Sequence, residues 1–123
     1  MANELSIGGL ALSFAKTGSP SWSFATATIT PTIAGSQWVD NVQAIATSET
    51  TIVMGDATGA GWVFMQNQDA TNYVEIKTVA SGTVFAKLLA GEYCLFRFGS
   101  GVTAPVAIAN TAACNLRVWH IDA

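Results

Sequence analysis

Apolar residues recur along this chain at every second position, in short runs broken by Gly, Pro, Asn or Asp about every eight to twelve residues, and few folds accept that pattern. Successive side chains of a strand point to opposite faces, whereas a helix needs a period near 3.6, which is hard to find here. Leu5, Ile7, Leu10, Leu12 and Phe14 form a first strand, interrupted at Gly8-Gly9, where a bulge or a close backbone contact is expected. After the turn Thr17-Gly18-Ser19-Pro20, Trp22 and Phe24 share a face with Thr26, Thr28 and Thr30. Pro31 should end that strand or place it at an edge, because proline cannot donate to a ladder.

Residues 38–45 suit either a strand or a short helical turn; a strand beginning near Val42 is the preferred reading. Residues 50–54 are short and β-branched, and Gly55-Asp56-Ala57-Thr58-Gly59-Ala60-Gly61 follows as a glycine-rich loop. Beyond it, 62–66, 73–79, 83–89 and 92–98 read as four successive strands with short connections. In 92–98, Cys94, Phe96 and Phe98 alternate with Tyr93, Leu95 and Arg97, so both faces are largely apolar and the strand is central or lies at an interface. The last run, 113–121, carries Leu116 and Val118 on one parity and Trp119 and Ile121 on the other. About eight strands with short turns predict an all-β, antiparallel β-sandwich, jelly-roll-like and a single domain over 1–123, because two sheets face to face resolve the edge problem at this size.

Charge narrows the function classes. Charged residues make up only 11% of the 123, against roughly 25% in ordinary soluble domains. Such a chain is either an assembled subunit whose apolar patches are covered by neighbours, the preferred reading, or a Thr- and Ser-rich β protein soluble without charge. Lys16, Lys77, Lys87, Arg97 and Arg117 are scattered singly at a net charge of −3, so no basic stripe awaits phosphates and nucleic acid is not an expected direct partner. The N-terminal residues lack a signal peptide's basic and apolar regions, and no apolar run nears the ~18 residues of a transmembrane helix. Synthesis in a cytoplasm without a membrane partner is expected.

Chemistry-bearing constellations are scarce. His120 is the single histidine, no Gly-x-Ser-x-Gly elbow accompanies it, and it reads as a strand residue and not a general base. The acidic residues Glu4, Asp40, Glu49, Asp56, Asp69, Glu75, Glu92 and Asp122 are dispersed one to a turn or strand, as solvated positions and Asx turns would be. Cys94 and Cys114 are too few for a disulfide framework and read as small buried hydrophobes, with a bridge open only if their strands are neighbours. No zinc pattern exists, and the loop at Asp56 lacks the acids of a calcium site and the Lys of a phosphate loop. No catalytic residue, cofactor or metal is therefore nominated. Of the four tryptophans, Trp62 and Trp119 lie in strong strand patterns and are expected in the core, whereas Trp22 and Trp38 divide between core and contact.

Three stretches carry a likeness: the opening Ala2-Asn3-Glu4-Leu5 with Leu10 to Lys16; Gly61-Trp62-Val63-Phe64-Met65-Gln66-Asn67 followed by Asp69-Ala70-Thr71-Asn72-Tyr73-Val74-Glu75-Ile76; and Ala90-Gly91-Glu92-Tyr93-Cys94-Leu95-Phe96-Arg97-Phe98 with the tail. Together they resemble small structural proteins of tailed bacteriophages. What the resemblance implies is a non-enzymatic virion role, with a capsid cement or decoration protein preferred. Such a protein sits on the capsid surface, bridges neighbouring major capsid protein subunits and often acts as a homotrimer. Its interface would be drawn from Leu5, Ile7, Trp22, Trp38 and Val39, in the least regular and least charged segments. A tail, baseplate or fibre component is the nearest rival. A carbohydrate-binding module for host attachment, with a glycan partner, is the alternative that the tryptophans suggest.

Overall fold

The computed structural model describes residues 5–18, 20–55, 57 and 61–122. Among them the protein is all-β, with ten strands in three antiparallel sheets. The chain gathers into two compact units, Met1–Ala34 and Gly35–Ala123.

The first unit is a two-stranded ribbon of β1 (Ala11–Phe14) and β2 (Trp22–Ala25). Its register, Leu12↔Phe24 and Phe14↔Trp22 alternating with Ala11↔Ala25 and Ser13↔Ser23, puts the large apolar side chains on one face and the small ones on the other. Ile7 and Ile29 extend the pairing by reciprocal N–H···O bonds of 2.8 and 3.0 Å, and the Leu10 N–H donates to Thr26 Oγ1 at 2.9 Å. The close contact expected at Gly8-Gly9 is at Gly9, where a Cβ would strike the Thr26 carbonyl oxygen.

The second unit holds β3 (Trp38–Ile45), β4 (Thr50–Thr51), β5 (Gly61–Asn67), β6 (Val74–Lys77), β7 (Val84–Leu88), β8 (Tyr93–Arg97), β9 (Val106–Ala109) and β10 (Cys114–Asp122). Its pairing is nested: β3 with β10, β4 with β9, β5 with β8, and β6 with β7. Alternate rungs of this folded ribbon enter different sheets, giving the orders β3-β10-β5-β8 and β4-β9-β6-β7. Ile45, Val63, Met65, Leu116 and Val118 from the first sheet meet Val74, Ile76, Leu88, Ala107 and Ala109 from the second in one core. Two antiparallel sheets sharing a core are consistent with a β-sandwich.

Three elements differ from the sequence expectation. The strand expected to run on to Pro31 ends at Ala25, and beyond it Ile29 makes an isolated bridge to Ile7. The strand expected near Val42 begins at Trp38, because β10 pairs with it over its whole length, from Cys114↔Ile45 to Ile121↔Trp38. The strand β9 was not expected: Val106-Ala107-Ile108-Ala109 follows Pro105, does not alternate in polarity and is half alanine, a weak strand former.

Asn67 joins the two sheets. Its side chain is fully buried, and Nδ2 lies 2.8 Å from the Asn72 carbonyl, 3.1 Å from that of Leu88 and 3.3 Å from that of Leu89, while Oδ1 accepts the Asp69 N–H at 3.0 Å. The end of β5, the 67–73 loop and the end of β7 thus meet on one amide. Asn67→Ala leaves these backbone groups without their partner and is expected to lower unfolding free energy by about 2–4 kcal/mol, read by urea denaturation.

Carboxylates tie down the loops. Asp69 Oδ1 accepts the N–H of Asn72 at 2.6 Å and of Thr71 at 2.8 Å, which hold its carboxyl below the usual range. Glu49 is lowered by Lys77 Nζ at 2.9 Å and by the N–H of Ser81, a residue with φ of 60°. A depressed folded-state value means that each contribution is present above the unfolded-state value and lost as pH falls through the folded one. The melting temperature is therefore expected to fall as pH drops from about 5 to about 3, and to fall less steeply in Glu49→Gln.

Candidate functional site

His120 lies in the core and not at a cleft: it is fully buried on β10, its Nδ1 is 3.1 Å from the Ala57 carbonyl and its ring is 6.1 Å from that of Phe98. Among the described residues no three His, Cys, Asp or Glu side chains are grouped to hold a metal. No described helix is long and apolar enough to cross a membrane. Acidic groups serve structure: Glu92 accepts the Leu89 N–H at 2.8 Å, and Asp69 makes the Asx-type turn expected of such residues. Glu4 and, in the glycine-rich loop, Asp56, Thr58, Gly59 and Ala60 lie outside the described residues. Cys94 and Cys114 are free and sit on β8 and β10, with β5 between them, so the neighbouring strands that a bridge requires do not exist. Burial pushes both thiols above their ordinary value, and Asp69 adds to the effect at Cys114, which disfavours the reactive thiolate.

The feature that stands out is the outer face of the sheet β3-β10-β5-β8. Cross-strand registers arrange it in three rows: Trp38, Ile121, Trp62 and Arg97; Asp40, Trp119, Phe64 and Leu95; Val42, Arg117, Gln66 and Tyr93. Three of the four tryptophans thus share one surface. Trp38 and Tyr93 are 64% and 59% exposed, and Leu95 and Val42 are also exposed. The charges on this face have partners within it. Arg117 donates from Nε to Asp40 Oδ1 at 3.2 Å and from its second amino nitrogen to Oδ2 at 3.0 Å, an arrangement that lowers the Asp40 carboxyl. Arg97 lies 5.3 Å from the centre of the Trp62 ring. The other sheet differs: its outward parity includes Glu75, Lys77 and Lys87, the side chains of a face turned to water.

Trp62 and Trp119, expected in the core, are corrected to this outer face, where both are half-buried. Val63 and Met65 on β5, and Leu116 and Val118 on β10, take the inward parity instead. The tryptophans mask the polarity of their own parity, which Gln66 on β5 and Asn115 and Arg117 on β10 mark as the outward one.

Of the interface candidates, Trp22 is 53% exposed on the ribbon and Trp38 is on the outer face; Leu5 and Ile7 are half-buried in the first unit. Val39 pairs with His120 and so occupies the side of β3 opposite Trp38. The structure thus sets Trp38 and Val39 on opposite sides of β3. It adds Phe64, Tyr93, Leu95, Trp119 and Ile121 to Trp38, and Phe14 and Phe24 to Trp22. A signal for the first set was present: β8 is apolar on both parities yet is an edge strand, with its outward Tyr93 and Leu95 exposed. At the ribbon end, Phe14 and Trp22 flank a shallow groove of about 210 Å³ with Ser13, Ala15, Ser21 and Ser23.

Comparisons with protein-family models, with curated proteins and with solved structures give no match.

The two parities separate in mutational cost. Met65→Ala in the core is expected to lose about 2–5 kcal/mol, whereas Trp38→Ala and Tyr93→Ala, more than half exposed, are expected to stay within about 1 kcal/mol of the unaltered chain in thermal and urea unfolding.

Proposed function

We propose that the chain is a non-enzymatic structural protein of a phage particle: a cement or decoration protein, made in the host cytoplasm, that assembles as a homotrimer on the capsid surface and binds across neighbouring major capsid protein subunits. The observation that carries this reading is the uncovered aromatic face of β3-β10-β5-β8, on which Asp40 and Arg117 neutralise each other. An apolar patch of this kind on a chain with 11% charged residues suits burial against another protein. In the same proposal Gly35–Ala123 is a jelly roll. Support comes from the nested rungs, since a jelly roll is an eight-stranded antiparallel ribbon wound into two sheets through Greek-key connections, an architecture used by viral capsid domains. The mechanism is area: a standard interface removes about 1,600 Å² from water, and repeating it over a shell resists internal pressure site by site.

Capsids lacking the protein provide the test. The purified chain is expected to co-sediment with them, and Trp38→Ser with Tyr93→Ser to bind at least tenfold more weakly with an unchanged fold. Absence of co-sedimentation by the folded, unaltered chain overturns the cement role, and labelling of intact particles then distinguishes a tail, baseplate or fibre position.

A carbohydrate-binding module is the second reading, favoured by one observation: Trp38, Trp62, Trp119 and Tyr93 lie on a single sheet face, and aromatic faces stack on pyranose rings. Quenching of tryptophan fluorescence on titration with a host glycan, abolished by Trp38→Ser, would favour it over the cement role.

A further inference from the structure

The ribbon of the first unit poses a physical problem that its own strands do not solve. All eight residues of β1 and β2 are exposed, and a two-stranded ribbon by itself is marginally stable in water. Its apolar face, made by Leu10, Leu12, Phe14, Trp22 and Phe24, requires a cover. The chemistry of that cover is constrained: between residues 5 and 34 the sole charged side chain is Lys16, so neither a phosphate backbone nor a lipid headgroup finds a counter-charge. What suits it is another largely apolar surface of similar size. The protein carries one, the outer face of β3-β10-β5-β8, where Asp40 and Arg117 neutralise each other and Arg97 lies over the Trp62 ring. The dimensions match: Leu10 to Phe14 on the ribbon and Trp38 to Val42 on the face each span about 14 Å at strand rise.

We infer that the ribbon of one copy docks on the outer sheet face of a second copy, and that this head-to-tail contact closes into a ring. Area dictates closure. Three half-exposed aromatic rings and two leucines offer about 400–500 Å² per ribbon, so one ribbon-on-face contact removes about 900 Å² from water, below the about 1,200–2,000 Å² of a stable pair. A symmetric ribbon-to-ribbon dimer has no more and stops there. In a ring each copy gives its ribbon and receives another, so every subunit is held twice. This deepens the proposed homotrimer and rests on that reading for the number of copies, while the docking itself does not depend on a capsid.

Sedimentation equilibrium of the full chain tests it. The unaltered protein is expected at three times its 12.8 kDa chain mass. A ribbon variant, Phe14→Ser with Trp22→Ser, and a face variant, Trp38→Ser with Tyr93→Ser, are each expected at the monomer mass with unchanged circular dichroism. Mixed at high concentration, the two should recombine into a heterodimer, since the intact ribbon of one fits the intact face of the other. Hydrogen exchange of the unaltered protein supplies a reading free of substitutions: amides of β1 and β2 should be protected in the assembly and lose protection on dilution. A monomer at every concentration or a variant that keeps the full assembly mass overturns the inference; assembly lost in only one of the two variants indicates a symmetric contact through that surface. Trimers that fail to bind capsids would overturn the cement role and leave the ring standing.

Discussion

Strand β10 pairs along its length with β3 on one side and β5 on the other, and the remainder of the larger unit is arranged around that double pairing. It joins the end of the chain to residues distant in sequence, so its loop-closure cost must be offset by what the two parities of the strand bury. The inward parity, Cys114, Leu116, Val118 and His120, is fully or almost fully buried. The outward parity places Trp119 and Ile121 beside the Arg117–Asp40 pair, at the centre of the aromatic face. One register therefore determines both the core and the surface proposed to meet a partner. A slip of one residue would exchange them.

The rungs that follow inherit this geometry. Because β5 joins β10 in the first sheet and β6 belongs to the second, the connection between them must cross from one sheet to the other, and Asn67 is the residue at the crossing. A buried amide is tolerated there because its donor and acceptor groups are both engaged by backbone. Charge is distributed with the same economy. Lys77 and Glu49 pair near the second sheet, while Arg117 and Asp40 cancel on the first, leaving an aromatic surface whose one further charge, Arg97, lies over the Trp62 ring. Affinity for a partner on such a surface would come from area and shape, with little long-range steering.

Much of the strand content was legible because period-two alternation is a local signal. Residues 62–66 lie within β5, and 73–79, 83–89 and 92–98 contain β6, β7 and β8. Where the local signal weakened, a distant partner decided: β3 starts at Trp38 because Ile121 stands opposite it, and β9 forms from a weak alanine-rich run because β6 and β4 flank it. The candidate surface was half legible. Trp22 and Trp38 stood out by their polar neighbours, but Trp62 and Trp119 were hidden among apolar strand residues, although Gln66, Asn115 and Arg117 share their parity. Two-sided strands carry an interface signal, yet they do not disclose which side is the core.

The sequence by itself determined that this chain would form short antiparallel strands with few charges and would carry more apolar surface than one core requires. Both conclusions follow from near-neighbour patterning and composition, which no partner strand alters. Only the tertiary structure decided which apolar parity turns inward, that the first 34 residues form a unit with its own exposed aromatic face, and that three tryptophans share one sheet surface. Those outcomes depend on register between strands distant in sequence, such as those of Asp40 and Arg117, 77 residues apart, and register is a property of the pair, absent from either strand alone.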